Sequence, residues 1–133
     1  MWAVEPVWIR EDVVLAIHAR LIAEHGGLEG LRDSALLSSA LARPRNLLAY
    51  SSQPPDVAAL CAAYAFGLCQ NHPFLDGNKR IALVVTRLFA TMNGSELETS
   101  QAEKYQALMR LASGEWNEAD YAEWIRNRLR LKE

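Results

Sequence analysis

Cysteine is scarce in this 133-residue chain, and its two cysteines, Cys61 and Cys69, do not suit a disulfide. On one helix they would lie about 12 Å apart by rise per residue, beyond the reach of a bridge. They read as small reduced core residues of a cytoplasmic protein. A basic excess is missing too. The net charge is −2, so no positive field draws nucleic acid, and direct nucleic-acid binding is not expected. Long apolar runs are absent. The two longest, residues 57–69 and 81–92, are too short to span a bilayer, and Arg87 interrupts the second. They are expected to be core helices, with no membrane association. A leader is not expected, since the chain opens with Trp2, Glu5 and Pro6 rather than a basic then apolar run. There is no strand-like alternation of any length, no internal repeat and no low-complexity segment.

What is there is ordinary globular composition, half of it hydrophobic. The length suits one domain with a real core, residues 1–133, and is too short for two. Residues 1–9 are expected to be extended or irregular, with a short edge strand possible in principle. Glu11 and Asp12 supply first-turn acids, and Val13, Val14, Ile17, Leu21 and Ile22 recur at helical spacing. His18, within that helix, reads as a packed or hydrogen-bonded core histidine. Gly26 and Gly27 suit the helix end. Asp33 or Ser34 can cap a short helix with Leu36, Leu37, Ala40 and Leu41 inward, which Pro44 is expected to end. Residues 51–55 read as a loop.

Asp56 caps the next helix, which is apolar almost all round and therefore buried. A second buried helix follows from Lys79, with Gly94 past its end. Ser100 and Glu103 form a capping box for a helix that Gly114 stops. Asn117 caps a last helix with Tyr121, Trp124, Ile125 and Leu129 on one face. Arg126, Arg128, Arg130 and Lys132 then cluster, most simply as cations at a helix C-terminus. The expected fold class is all-α, a compact bundle around two central helices.

Between those central helices lies His72-Pro73-Phe74-Leu75-Asp76-Gly77-Asn78-Lys79-Arg80. Taken singly, these residues have plain structural explanations: Asp76-Gly77-Asn78 makes a turn, and Asn78 makes an N-cap. Together they place an imidazole, a carboxylate, a close turn and two cations at a helix start. Unpaired N–H groups and the macrodipole there bind phosphate. Lys79 and Arg80 in a first turn oppose the macrodipole unless an anion sits with them. Asp76 can hold Mg²⁺, which needs only one or two carboxylates plus substrate phosphates. His72 can take a proton from a hydroxyl near neutrality. Phe74 is expected to plug the core beneath the loop.

These nine residues resemble the signature of the Fic/Doc superfamily, and within it the Doc (death-on-curing) toxin branch. The adenylyl-transferring Fic branch has a second glycine where this chain has Lys79. Gly30-Leu31-Arg32-Asp33 and the stretch from Leu36 to Pro44 are similar to the Doc N-terminal block, with Ser38 where the family often has Glu. Ala112-Ser113-Gly114-Glu115 is also similar to the family.

The resemblance implies a toxin of a toxin–antitoxin pair. Its activity would be ATP-dependent, protein kinase-type phosphoryl transfer to a threonine of translation elongation factor Tu, arresting translation. ATP and Mg²⁺ are the implied cofactors. His72, Asp76, Lys79 and Arg80 are the implied catalytic residues, Gly77, Asn78, Lys79 and Arg80 the nucleotide-binding ones, and Asp76 the metal ligand. The implied partner is a Phd-like antitoxin whose flexible C-terminal segment folds on binding. Residues 46–53 either border a target-docking cleft or form a plain surface connection.

Two alternatives stay open: Fic-type adenylyl transfer to protein, and a non-catalytic antitoxin-binding module. Lys79 argues against the first, because its Cβ penalises positive φ and its stem fills an anion pocket. An inhibitory helix of the kind some Fic proteins carry has its only near match at Thr99 and Glu103, where Lys104 breaks the pattern. Inhibition is therefore expected from a separate chain.

Overall fold

The computed structural model describes residues 2–132. Its elements in chain order are α1 (Glu11–His25), α2 (Ser34–Tyr50), α3 (Val57–Asn71), α4 (Asn78–Met92), β1 (Ser95–Leu97), α5 (Gln101–Ser113), α6 (Glu118–Arg126) and β2 (Leu129–Leu131). The fold is all-α, as its sequence predicts. Residues 2–10 carry no regular element. They are held by the Trp2 indole donating to Pro55 O (2.8 Å) and the Ile9 amide donating to Tyr64 Oη (3.1 Å).

Helix α3 is the centre. It is buried nearly all round, including Leu60, Cys61, Tyr64, Leu68 and Cys69, and α2, α4 and α6 pack on it. Asp56 starts it by accepting from the Ala59 amide (2.9 Å). Tyr64 meets Phe89 of α4 with ring centroids 5.1 Å apart. Both cysteines are free and buried, and burial pushes the Cys69 thiol up to about 11.

Pro44 does not end α2. The helix runs through it to Tyr50, with Pro44 buried. Proline in a helix interior costs about 3 kcal/mol, and here tertiary packing offsets it. Leu47 and Leu48 pack on the core, and the Arg45 guanidinium lies 5.1 Å from the Trp8 ring centroid. Helix α2 also meets α3 backbone to backbone: a Cβ on Gly67 would lie 3.1 Å from both Cα and O of Ala40.

A second departure is a small antiparallel sheet pairing Ser95 with Leu131 and Leu97 with Leu129. Three-residue strands are too short to show alternation. Leu129 therefore lies in β2, not on α6, which stops at Arg126. Of the terminal cations, Arg126 pairs with Asp56 (2.6 Å) and Arg130 with Glu98 (2.7 Å), while Arg128 covers the Trp124 ring. They tie α6 and β2 to the body of the fold.

Candidate active site

The loop joining α3 to α4 is fixed from both sides. At the end of α3, His72 adopts φ 48° and ψ 56°, the one non-glycine residue with positive φ among the described residues. Left-handed backbone costs an L-residue about 1–2 kcal/mol. Arg32 holds it there: Nε donates to His72 O (2.7 Å) and Nη2 to Asn71 O (2.8 Å). A cation thus closes the C-terminus of α3. The chain then runs antiparallel to residues 30–33. Pro73 O accepts from the Arg32 and Asp33 amides, and the Leu75 amide donates to Gly30 O. Phe74 is buried, as expected, and stacks on the His18 ring at 3.7 Å between centroids.

His18 is a buried histidine with a specific task. Its Nε2 lies 2.7 Å from the Asp76 carbonyl oxygen. A carbonyl only accepts, so that nitrogen carries the proton. The Asp76 carboxylate is aimed by two backbone amides, Gly77 to Oδ1 (2.9 Å) and Leu28 to Oδ2 (3.2 Å). The α1–α2 connection must come close to supply the second. A Cβ on Gly27 would stand 2.8 Å from Asp76 Oδ2, so a larger residue there would push the carboxylate out of this position.

Gly77, in the left-handed conformation at φ 75°, turns the chain into α4. No side chain caps this helix. The first intrahelical bond is from the Ile81 amide to Gly77 O. The amides of Asn78, Lys79 and Arg80 therefore have no partner among the described residues, the state in which a helix N-terminus receives an anion. Lys79 and Arg80 are exposed and enter none of the ion pairs among the described residues.

The sequence left Asn78 as an N-cap or part of a phosphate cradle. Gly77 takes the N-cap position, and the Asn78 side chain is buried in the loop. Oδ1 accepts from the Phe74 amide (3.0 Å), and Nδ2 donates to Phe74 O (3.0 Å) and faces His72 Nδ1 at 3.3 Å. The side-chain amide clamps the loop, and the residue's own backbone N–H stays without a partner among the described residues. Lys79 is helical, so positive φ plays no part at that position. Only its side chain distinguishes it from glycine.

These groups share one cavity of about 360 Å³, lined by His72, Asp76, residues 77–80, Leu75, Leu83 and Tyr105. That volume is in the range of small-ligand sites. Its polar end is the start of α4. Among the described residues no three His, Cys, Asp or Glu side chains converge, so Asp76 is a single carboxylate. A lone carboxylate beside unpaired amides and free cations fits a magnesium–polyphosphate, whose remaining metal ligands are phosphate and water oxygens. It does not fit a resident protein-caged metal.

A larger groove of about 460 Å³ runs between α2 and α3. Asn46, Tyr50, Phe66, Gln70 and Asn71 line it. Asn46 thus faces the groove, whereas Asp33 caps α2 through the Ala35 and Leu36 amides. Glu103 sits in the α5 capping box, where the Ser100 amide holds its carboxyl below the usual range.

A family model described as the Fic/DOC family matches residues 8–90, which take in α1, α2, α3 and the loop into α4. The chain belongs to the Fic/DOC family. It is 29% identical over 118 residues to "Protein kinase doc" of Escherichia phage P1, covering 89% of this chain and 92% of that protein. It is 38% identical over 88 residues to "Toxin Doc" of Mycolicibacterium smegmatis, covering 66% of this chain and 65% of that protein. Arg32, His18 and Leu28 brace the Fic/DOC loop from outside it. Sequence reading put no such task on them, because each acts through a backbone group across a long separation. Among the described residues no helix is long and apolar enough to cross a membrane.

Proposed function

We propose that this chain is the toxin of a toxin–antitoxin pair and transfers the terminal phosphoryl group of ATP to a hydroxyl of translation elongation factor Tu. One observation carries the reading: the residues that carry three unpaired α4 amides, two unpaired cations, one aimed carboxylate and one imidazole line a single cavity. The names of the two relatives, a protein kinase and a toxin, support it.

The geometry supports the following roles. The amides of residues 78–80 and the Lys79 and Arg80 side chains bind the polyphosphate and neutralise charge as it shifts. His72 accepts the proton of the attacking hydroxyl as its oxygen bonds to the γ-phosphorus. The bond from that phosphorus to the β,γ-bridging oxygen breaks, and ADP leaves. Asp76 would hold Mg²⁺, which would neutralise phosphate charge. Phosphoryl transfer relies on positioning and electrostatics, and this loop supplies both. The weak 3.3 Å contact of His72 Nδ1 with Asn78 can reorganise when substrate enters. The groove along α2 and α3 offers the adjoining surface for the protein substrate. A Phd-like antitoxin with a flexible C-terminal segment is the proposed partner, and the cytoplasm the proposed location.

ATP labelled separately at its α- and γ-phosphates, mixed with the chain and purified elongation factor Tu, tests this. Label transferred from the γ position supports phosphoryl transfer. Label from the α position would replace it with adenylyl transfer. No label from either, with the chain harmless when expressed alone, would leave a binding module.

A further inference from the structure

The nine-residue motif does not aim its own carboxylate. Asp76 is exposed, and an exposed aspartate turns freely about its side-chain bonds. Here each of its oxygens accepts one backbone amide, Gly77 at Oδ1 and Leu28 at Oδ2. The first bond is local to the turn. The second spans 48 residues. It exists only while the α1–α2 connection keeps its distance from the Asp76 main chain. Each oxygen has a further lone pair left for a metal.

His18 sets that distance. It sits on α1, only 3% exposed, and meets the loop at three points. Its Nε2–H donates to Asp76 O at 2.7 Å, and its ring stacks on Phe74. A Cβ on Gly77 would lie 3.5 Å from the same nitrogen. Helix α1 ends at His25 and leads directly into the connection that supplies the Leu28 amide. One rigid helix therefore holds the Asp76 main chain through His18 and its side chain through Leu28.

We propose that His18 is a positioning residue for magnesium: by holding the Asp76 carbonyl it keeps the Asp76 carboxylate seated on the Leu28 amide, aimed at the metal of a magnesium–nucleotide. This rests on the reading of Asp76 as the metal ligand given above. His18 itself touches neither metal nor nucleotide. Without its hydrogen bond the loop shifts against α1 and the Leu28 bond weakens. The carboxylate then samples other rotamers, in which the metal has no protein ligand. The amides and cations of residues 78–80 bind phosphate all the same. The loss is confined to the magnesium-dependent part of nucleotide binding.

The test is ATP binding to the full chain, measured with magnesium and with a chelator in its place. His18→Phe keeps a ring on Phe74 and removes the donor. His18→Gln keeps a donor at similar reach and removes the ring. His18→Phe is expected to bind ATP with magnesium roughly 10-fold more weakly than the parent, the lower end of the range for outer partners of a metal ligand, and to stay within about twofold of it with the chelator. His18→Gln is expected to stay within about threefold of the parent in both, far short of the outer-partner loss. Equal losses with and without magnesium would overturn the proposal, as would an unchanged His18→Phe or a His18→Gln as weak as His18→Phe. Urea midpoints check the fold of each variant. If His18→Phe does not fold, His18→Asn, whose amide stops one bond short, replaces it with the same expectations. A parent chain that binds ATP equally well without magnesium, or binds none, would remove the metal reading of Asp76 and this role with it.

Discussion

Replacing Asn78 by alanine separates holding the loop from binding the phosphate. The Asn78 side chain satisfies both the N–H and the C=O of Phe74, each at 3.0 Å, within the core. Without it, two buried backbone groups lose their partners. Each such loss costs about 1–3 kcal/mol. Water entering the vacated space recovers a part, so the expected sum is about 2–4 kcal/mol, a large share of a total stability of about 5–15 kcal/mol. With a urea slope of about 1.5 kcal/mol per M, the unfolding midpoint falls by about 1.3–2.7 M. Lys79→Ala is the control. Lys79 is exposed and unpaired, so its midpoint stays within about 0.3 M of the parent, while its ATP affinity falls. An Asn78→Ala midpoint within about 0.3 M of the parent would refute the clamp and return Asn78 to a ligand-facing role.

Three further outcomes follow from the same geometry. His72→Gly and His72→Ala both remove the imidazole and should both abolish transfer. At φ 48° the glycine variant should unfold at higher urea by about 1 kcal/mol, and equal stability would deny the left-handed backbone. Arg32→Ala frees two carbonyls at the end of α3 and should cost about 1–3 kcal/mol, with Arg32→Lys a poor rescue because one ammonium cannot match the two-nitrogen fork. The Arg126 guanidinium holds the Asp56 carboxyl below its usual value. A depressed folded value means this stabilisation is present above about pH 4 and is lost as pH falls through the folded value. The stability gap between the parent and Asp56→Asn should therefore shrink in acid, and a constant gap from pH 7 to pH 3 would contradict it.

Sequence carried the helices well, because each start has its own chemistry: Asp33, Asp56, Ser100 and Asn117 all cap as their positions predict. It failed where tertiary contacts outweigh local preference. Pro44 sits inside α2 because the residues beyond it reach Trp8 and the core. Leu129 leaves the helical face because its strand pairs with β1. In the candidate site, the clustering of His72, Asp76, Lys79 and Arg80 around one cavity was legible. Their bracing was not. His18 holds a carbonyl 58 residues away and Arg32 one 40 residues away, and no local pattern encodes such pairs. Asn78 was legible as important, but its reading as an N-cap fails because Gly77 takes that position and the Asn78 side chain clamps the loop.

The central claim is that the start of α4 grips a polyphosphate beside His72. Backbone amide chemical shifts of the isotope-labelled chain, followed as ATP and magnesium are added, test it most directly. The amides of Asn78, Lys79 and Arg80 should show the largest saturating shifts, with His72 and Asp76 next. Saturating shifts confined to other helices, with residues 78–80 unmoved, would contradict the account.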